Sequence, residues 1–245
     1  MKFQDFRADP TFVYRAWKAR LRGERQEVAA LRSALASGDV AVDVGAHKGA
    51  YTYWMRRAVG ETGKVFAFEP QPRLAAYLAQ ASAAMGWENV RVRACALSDA
   101  PGVGTLRIPA GPSTQGAALS AEAGVDGVSC RLATLDAELA GEGRVAFLKV
   151  DVEGHELAVF RGARRILAED APVVLFECEA RHLSAGSMEE VFAHLSGLGY
   201  AGRFFGPEGL RPLAEFDPAI HQRVLPGRFW KAPGYCNNFL FARQR

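Results

Sequence analysis

From Val40 onward the chain repeats one unit, a short apolar run followed by a helical pattern, and this rhythm constrains the fold more than any other feature. The runs Val40 to Val44, Lys64 to Phe68, Val90 to Leu97, Val145 to Val150 and Val173 to Phe176 read as strands. Helices are expected around Tyr51 to Val59, from Arg73 to Met85, and from about His155 with Leu157, Phe160, Ala163 and Leu167 on its apolar side. Runs that are apolar at nearly every position suit strands buried on both faces, and parallel strands need crossover helices covering both sides. The expected architecture is an α/β, doubly wound, mostly parallel sheet.

The rhythm breaks twice. Between Pro101 and Ser129 six glycines replace large apolar residues, which predicts a hairpin, Gly104 to Pro109 against Gly127 to Arg131, joined by a mobile loop over Ala110 to Gly124. Thr134 then offers a helix N-cap, and Ser187 with Glu190 opens a capping box for a helix that stops at Gly199. A short strand near Ala201 to Phe205, an irregular stretch to Gly234 and a closing strand Tyr235 to Ala242 complete the chain. The other break is at the start. Val13, Trp17, Leu21, Val28, Leu31 and Leu35 recur at helical spacing interrupted by Gly23, so residues 1–38 read as a helical segment ahead of a main domain, 39–245.

Composition narrows the function classes. The 245 residues are 49% hydrophobic and 23% charged, as expected of a soluble domain with its own core. No apolar run approaches the roughly 18 residues of a membrane span, and the opening MKFQDFRADP lacks a signal-peptide stretch, so a cytoplasmic location is expected. The 30 basic and 27 acidic residues are interspersed without a basic block, which argues against nucleic acid as the partner. Cys95, Cys130, Cys178 and Cys236 lack C-x-x-C spacing and read as reduced, buried thiols.

Ligands of an open parallel sheet sit beyond the carboxyl ends of its strands. The first strand runs into Asp43-Val44-Gly45-Ala46-His47-Lys48-Gly49, where glycines allow a tight turn and close ligand approach. The spacing departs from G-x-G-x-x-G, so a dinucleotide fits poorly. The second strand ends in Glu69-Pro70, at the usual distance for a carboxylate that accepts from ribose hydroxyls. The others end in Ser98-Asp99, in Asp151-Val152-Glu153-Gly154-His155-Glu156 and in Glu177-Cys178-Glu179. Acids at five strand ends converge on one crevice, and the period of two puts Lys149, Asp151 and Glu153 on one side.

Together VDVGAHKG, FAFEP, ALSD, FLKVDVEGHE and CNNFLF resemble the FkbM family of S-adenosylmethionine-dependent O-methyltransferases over roughly Val40 to Ala242. The resemblance implies a seven-stranded sheet whose last strand is antiparallel, with the cofactor across the first three strands. It implies that Asp43 and Gly45 face the methionine part, Gly45 leaving room for the cofactor, within a turn that includes Ala46, His47 and Gly49. Glu69, next to Pro70, would take the ribose hydroxyls, and Ser98 and Asp99 would sit near the adenine. The acceptor it implies is a hydroxyl of a sugar, glycolipid or secondary metabolite. The N-terminal helices lie outside the resemblance and are candidates for substrate contacts or a homodimer face.

Methyl transfer to a hydroxyl needs alignment, exclusion of water and a base. Asp151, Glu153 and His155 are the catalytic candidates: Glu153 or His155 as base, Asp151 holding the cofactor amine or the acceptor. His47 is expected to pack beside the cofactor, while His182, His194 and His221 are expected at the surface. Asp151, Glu153, Glu177, Glu179 and His182 offer ligands for a hard divalent cation, but no compact motif such as H-E-x-x-H supports one, and a metal is not favoured. Phe229, Trp230 and Tyr235 could form an aromatic wall for an acceptor ring. The rival readings are a nucleotide-cofactor oxidoreductase, a non-catalytic S-adenosylmethionine-binding protein, and an N- or C-methyltransferase.

Overall fold

The computed structural model describes residues 9–108, 116–120, 127–183, 186–227, 229–232 and 234–243. In chain order its elements are α1 (Pro10–Lys18), a π-helical turn (Ala19–Gly23), α2 (Arg25–Ala34), β1 (Val40–Val44), α3 (Ala50–Val59), β2 (Lys64–Phe68), α4 (Pro72–Ala84), β3 (Val90–Arg93) and β4 (Ala96–Leu97). There follow β5 (Gly102–Arg107), β6 (Ala118–Ser120), β7 (Val128–Ala133), α5 (Leu135–Glu138), β8 (Val145–Val150) and α6 (Glu156–Arg161). After a second π-helical turn (Ile166–Asp170) come β9 (Val173–Glu177), α7 (Met188–Gly197), β10 (Tyr200–Gly206), β11 (Gly209–Pro212), α8 (Pro218–His221) and β12 (Asn238–Arg243).

Eight strands form the main sheet in the order β11-β10-β12-β9-β8-β1-β2-β3. β1, β2, β3, β8 and β9 are parallel, and β12 enters antiparallel between β9 and β10. The expected antiparallel closing strand is present, but the strand count differs: β11 folds back on β10 as an eighth, edge strand. The stretch from Gly206 to Gly234, expected to be irregular, supplies that strand and the short α8.

Strand parity divides the interior into two layers. Val40, Val42 and Val44, Phe66 and Phe68, Leu148 and Val150, and Val174 and Phe176 face one core with α6 and α7. The alternate residues, Ala41, Val65, Ala67, Phe147 and Leu175, face a second core with α1 to α4, where Phe12, Val28 and Leu31 meet Tyr53, Trp54 and Trp87. The N-terminal helices therefore pack directly on the sheet. Leu21, expected on their apolar stripe, is 66% exposed because the π-helical turn resets the helical phase ahead of Gly23.

The expected strand Val90 to Leu97 is two strands. β3 stays in the main sheet, and after Cys95 the chain leaves it, so that β4 pairs with β7 in a second sheet ordered β4-β7-β5-β6. The expected hairpin is present there, with Gly104 opposite Cys130. Of the loop expected to be mobile, residues 116–120 are described and carry β6, and the rest lies outside the described residues. Thr134 and Ser187 cap α5 and α7 as their spacing predicts, accepting from the backbone N–H of Ala137 and Glu190. All four cysteines are buried free thiols.

Candidate active site

The carboxyl ends of β1, β2, β4, β8 and β9 open into one cleft of about 570 Å³. Among the described residues its lining carries six carboxylates, those of Glu24, Glu69, Asp151, Glu153, Glu177 and Glu179, against one guanidinium, Arg181. The cleft lies where strand order reverses, β1 being followed in the sheet by β2 and β3 on one side and by β8 and β9 on the other, which is where open α/β sheets place ligands.

At the end of β1 the backbone N–H groups of Gly45 and Ala46 both donate to the Phe68 carbonyl, at 2.9 and 3.0 Å. His47, at a left-handed φ of 49°, donates its N–H to Glu69 Oε2 at 2.7 Å. Burial, then the neighbouring Lys48 charge, lowers the His47 pKa to about 4, so its ring is neutral at pH 7. Gly45 has a reason other than room for a ligand. A Cβ on it would collide with the Asp151 carbonyl, so the glycine lets the loops after β1 and β8 cross. Gly49 is held likewise between Leu78 and Phe12, and neither Gly49 nor Ala46 lines the cleft.

Asp43 does not line the cleft either. Parity turns its side chain into the layer under the N-terminal helices, where it is fully buried and accepts from Thr52 Oγ1 at 2.6 Å. Burial raises its pKa against the pull of Lys149. Lys149, its neighbour across β1 and β8, is itself buried, reaches Asp151 Oδ2 at 3.1 Å and stands 4.7 Å from the Tyr51 ring centre. Burial alone would lower its pKa, but Asp151 and Asp43 outweigh that and hold it above its ordinary value.

Glu69 is 3% exposed, and its carboxylate takes one backbone N–H on each oxygen, from His47 and, at 2.9 Å, from Gln71. Each oxygen keeps acceptor capacity, since a carboxylate has about four lone-pair sites. Beside it Cys95, Ala96 and Leu97 line one wall, and Leu106 and Leu119 of the second sheet extend it as an apolar slab. Ser98 and Asp99 lie behind that wall rather than on it. The Ser98 hydroxyl stands 3.2 Å from Asp99 Oδ1 and 2.9 Å from His155 Nε2. His155 thus faces the β4 end of the cleft, with its pKa lowered by burial.

At the opposite end Glu153, at a left-handed φ of 53°, places Oε2 2.7 Å from His182 Nδ1. Burial alone would lower the His182 pKa, but the Glu153 contact raises it overall. The two loops interlock, because a Cβ on Gly154 would strike the His182 carbonyl. His182 is therefore a cleft residue, contrary to its expected surface position. His221 stacks on Phe216, with ring centres 5.3 Å apart, and His194 is half-buried. Glu177 Oε1 and Glu179 Oε1 accept from Asn237 Nδ2 at 2.9 and 3.0 Å. Glu179 also binds Arg181 and the Tyr235 hydroxyl. Burial works against ionisation of Glu179, yet these donors hold its pKa below the usual carboxylate range, whereas burial beside Asp151 and Glu179 raises Glu177. Arg181 lies over Phe229 and Trp230, and Trp230 lines the mouth.

Sequence reasoning missed Arg181, Asn237 and Glu24. Asn237 had a signal, the CNN run at the start of the expected closing strand. Glu24 had none, because the sequence shows only the Gly23 break and not the fold that turns the next residue into the cleft. Among the described residues no three His, Cys, Asp or Glu side chains form a group able to hold a metal ion. No described helix is long and apolar enough to cross a membrane.

The sequence matches the methyltransferase FkbM domain over residues 43–201. No curated protein matches it. A crystal structure of methyltransferase FkbM from Methylobacillus flagellatus superposes with a TM-score of 0.54 at 16% identity, over 98% of this chain and 55% of that one. An rRNA methylase from Streptococcus thermophilus gives a TM-score of 0.51 at 11% identity, over 90% of this chain and 96% of that one. At these identities the likenesses establish a shared fold, and the chain spans little more than half the length of the FkbM structure.

Proposed function

Because this chain belongs to the FkbM methyltransferase family, we propose that it carries the methyl group of S-adenosylmethionine to a hydroxyl oxygen of a sugar, glycolipid or secondary metabolite, a sugar hydroxyl being favoured. We assign residues 39–245 to the methyltransferase domain and 1–38 to an N-terminal segment whose helices α1 and α2 lie over its sheet. One observation carries the reading. A single acid-lined cleft has an apolar slab and the half-saturated Glu69 carboxylate at one end, and the Glu153–His182 pair at the other.

The residues fit the cofactor. Leu97, Leu106 and Leu119 offer a face for adenine, Glu69 has free lone pairs for two ribose hydroxyls, and the carboxylates toward β8 suit a ligand bearing ammonium and sulfonium charges. When bound, S-adenosylmethionine supplies an electrophilic methyl on a sulfonium whose charge is lost as the methyl leaves. Everything else falls to the chain. The Gly45 to His47 turn and Glu69 position the donor, and Trp230 with Arg181 flanks the acceptor's entry. Asp151, oriented by Lys149, holds the acceptor or the cofactor amine.

We assign the base to Glu153 together with His182, whose Nδ1 is oriented by that carboxylate and whose neutral form is made more basic by it. His155 becomes a positioning residue at the adenine end, linked through Ser98 to Asp99. Since Asp151, Glu153 and Glu179 already pair with Lys149, His182 and Arg181, the proposed transfer needs no metal.

The test is transfer of labelled methyl from S-adenosylmethionine to a panel of hydroxylated acceptors. Glu69→Ala is expected to abolish cofactor binding, chelator to leave turnover unchanged, and His182→Ala to lower kcat by about 10²- to 10⁴-fold with cofactor affinity kept. Unchanged turnover in both Glu153→Gln and His182→Ala would sink the base assignment, and label found only on nitrogen or carbon would sink the hydroxyl assignment.

A further inference from the structure

The N-terminal segment lies outside residues 43–201, yet it sends one side chain into the cleft. Glu24 follows the π-helical turn Ala19–Gly23 and begins α2 from a non-helical conformation, φ −123° and ψ 41°. That break in the helix aims its carboxylate over the ends of β1 and β8, among Tyr51, Lys149 and Asp151. Tyr51 hydrogen-bonds the carboxylate, but Glu24 Oε2 is buried with no partner. The nearby ammonium of Lys149 attracts Glu24 electrostatically but hydrogen-bonds Asp151 Oδ2, at 3.1 Å. A buried carboxylate oxygen without a donor is costly, and a cationic donor from a ligand would remove that cost.

We propose that Glu24 binds the α-ammonium group of the cofactor's amino-acid half, so that the N-terminal segment completes the donor site. The inference rests on the cofactor reading above. With adenosine against the Leu97 wall and Glu69, the amino-acid arm has the β1 and β8 side of the cleft to occupy, and that side presents Glu24 and Asp151. Its carboxylate is repelled by both, and its ammonium, with three donors, is attracted to both. Asp151 offers one such acceptor, and Glu24 Oε2 supplies a second that no protein group uses.

Two ligands separate this role from a general one. S-Adenosylhomocysteine carries the ammonium, and 5′-methylthioadenosine has the same nucleoside without the amino-acid arm. Calorimetric titration of wild type and Glu24→Gln with both is the experiment. The variant is expected to lose about tenfold to a hundredfold in affinity for S-adenosylhomocysteine, the scale of one charge-assisted hydrogen bond, and to bind 5′-methylthioadenosine within about twofold of wild type. Equal losses for both ligands, or no loss for either, overturns the inference while leaving the cofactor reading standing. Failure of wild type to bind either overturns both. Should Glu24→Gln not fold, Glu24→Asp, which keeps the charge but shortens its reach, must show the same selective loss.

Discussion

The two faces of the main sheet are built on different principles. On the face under α6 and α7 the strand side chains are apolar, with Phe176 stacked against Phe239 at 5.5 Å and flanked by Phe160, Phe192 and Phe241, and Glu156 is buried at the start of α6. The face under α1, α2 and α3 carries Asp43 and Lys149 within its strands and meets Glu27, buried on α2, and Glu24 next to it. The apolar face is stabilised by removal of area from water and by close packing. The other holds ionisable groups whose charged forms cost desolvation unless they are paired, so burial raises the pKa of Asp43, Glu24 and Glu27, and this is the face that reaches the cleft. Charge is buried where it can serve a site, and the price is a layer whose stability depends on pairing.

That contrast can be broken at Lys149. Removing its charge leaves Asp43 and Asp151 uncompensated, and Lys149→Met is expected to cost about 3–5 kcal/mol in denaturant unfolding, with partial recovery when Asp43→Asn is added. Phe176→Ala, on the apolar face, is expected to lose a similar ~3–5 kcal/mol through its cavity, but no charge substitution should rescue it. Recovery of both, or of neither, by charge removal would erase the distinction between the faces.

Gly45→Ala tests the crossing of the β1 and β8 loops. The new Cβ meets backbone at a positive φ, so a loss of about 2–3 kcal/mol is expected, together with weaker cofactor binding because the Asp151 loop must move. A stable variant that binds normally would show that the loops part easily.

The smallest expected effect depends on pH. Burial raises Glu27 from 4.5 to about 7, so the folded chain holds this proton more tightly than the unfolded one. Its contribution to stability is present below pH 4.5 and is lost as pH rises through about 7. Glu27→Gln, neutral at every pH, should therefore raise the melting temperature at pH 8, by the equivalent of about 1–2 kcal/mol, and change it little at pH 5. A gain of equal size at both pH values would refute the buried-charge account of this layer.

Much of the fold was legible because apolar periodicity is a local property. β1, β2 and β8 have the bounds that their Val, Ala and Phe runs predict, and the Thr134 and Ser187 caps work through bonds spanning three residues. The break after β3 was not legible. Val90 to Leu97, VRVRACAL, reads as one unbroken strand-forming stretch, and only the pairing of Ala96 with Leu132 shows that the chain has changed sheets. Likewise the strand-end acids were visible, but their partners were not. His182 is 29 residues from Glu153, and Asn237 lies 60 from Glu177, so neither contact leaves a trace in local pattern.

Local pattern along the chain sets the alternation of strands and helices, the caps, and the acids at the strand ends, because each depends on neighbours within a turn or two of chain. Tertiary structure decided which way those groups face. It turned Asp43 away from the cleft by strand parity, turned His155 toward Ser98 and gave His182 to Glu153. It also brought Glu24, through a broken helix packed across the sheet, to the ends of β1 and β8. These outcomes depend on registers and crossings between distant segments, which are set when the two faces bury their area together and not by the residues on either side.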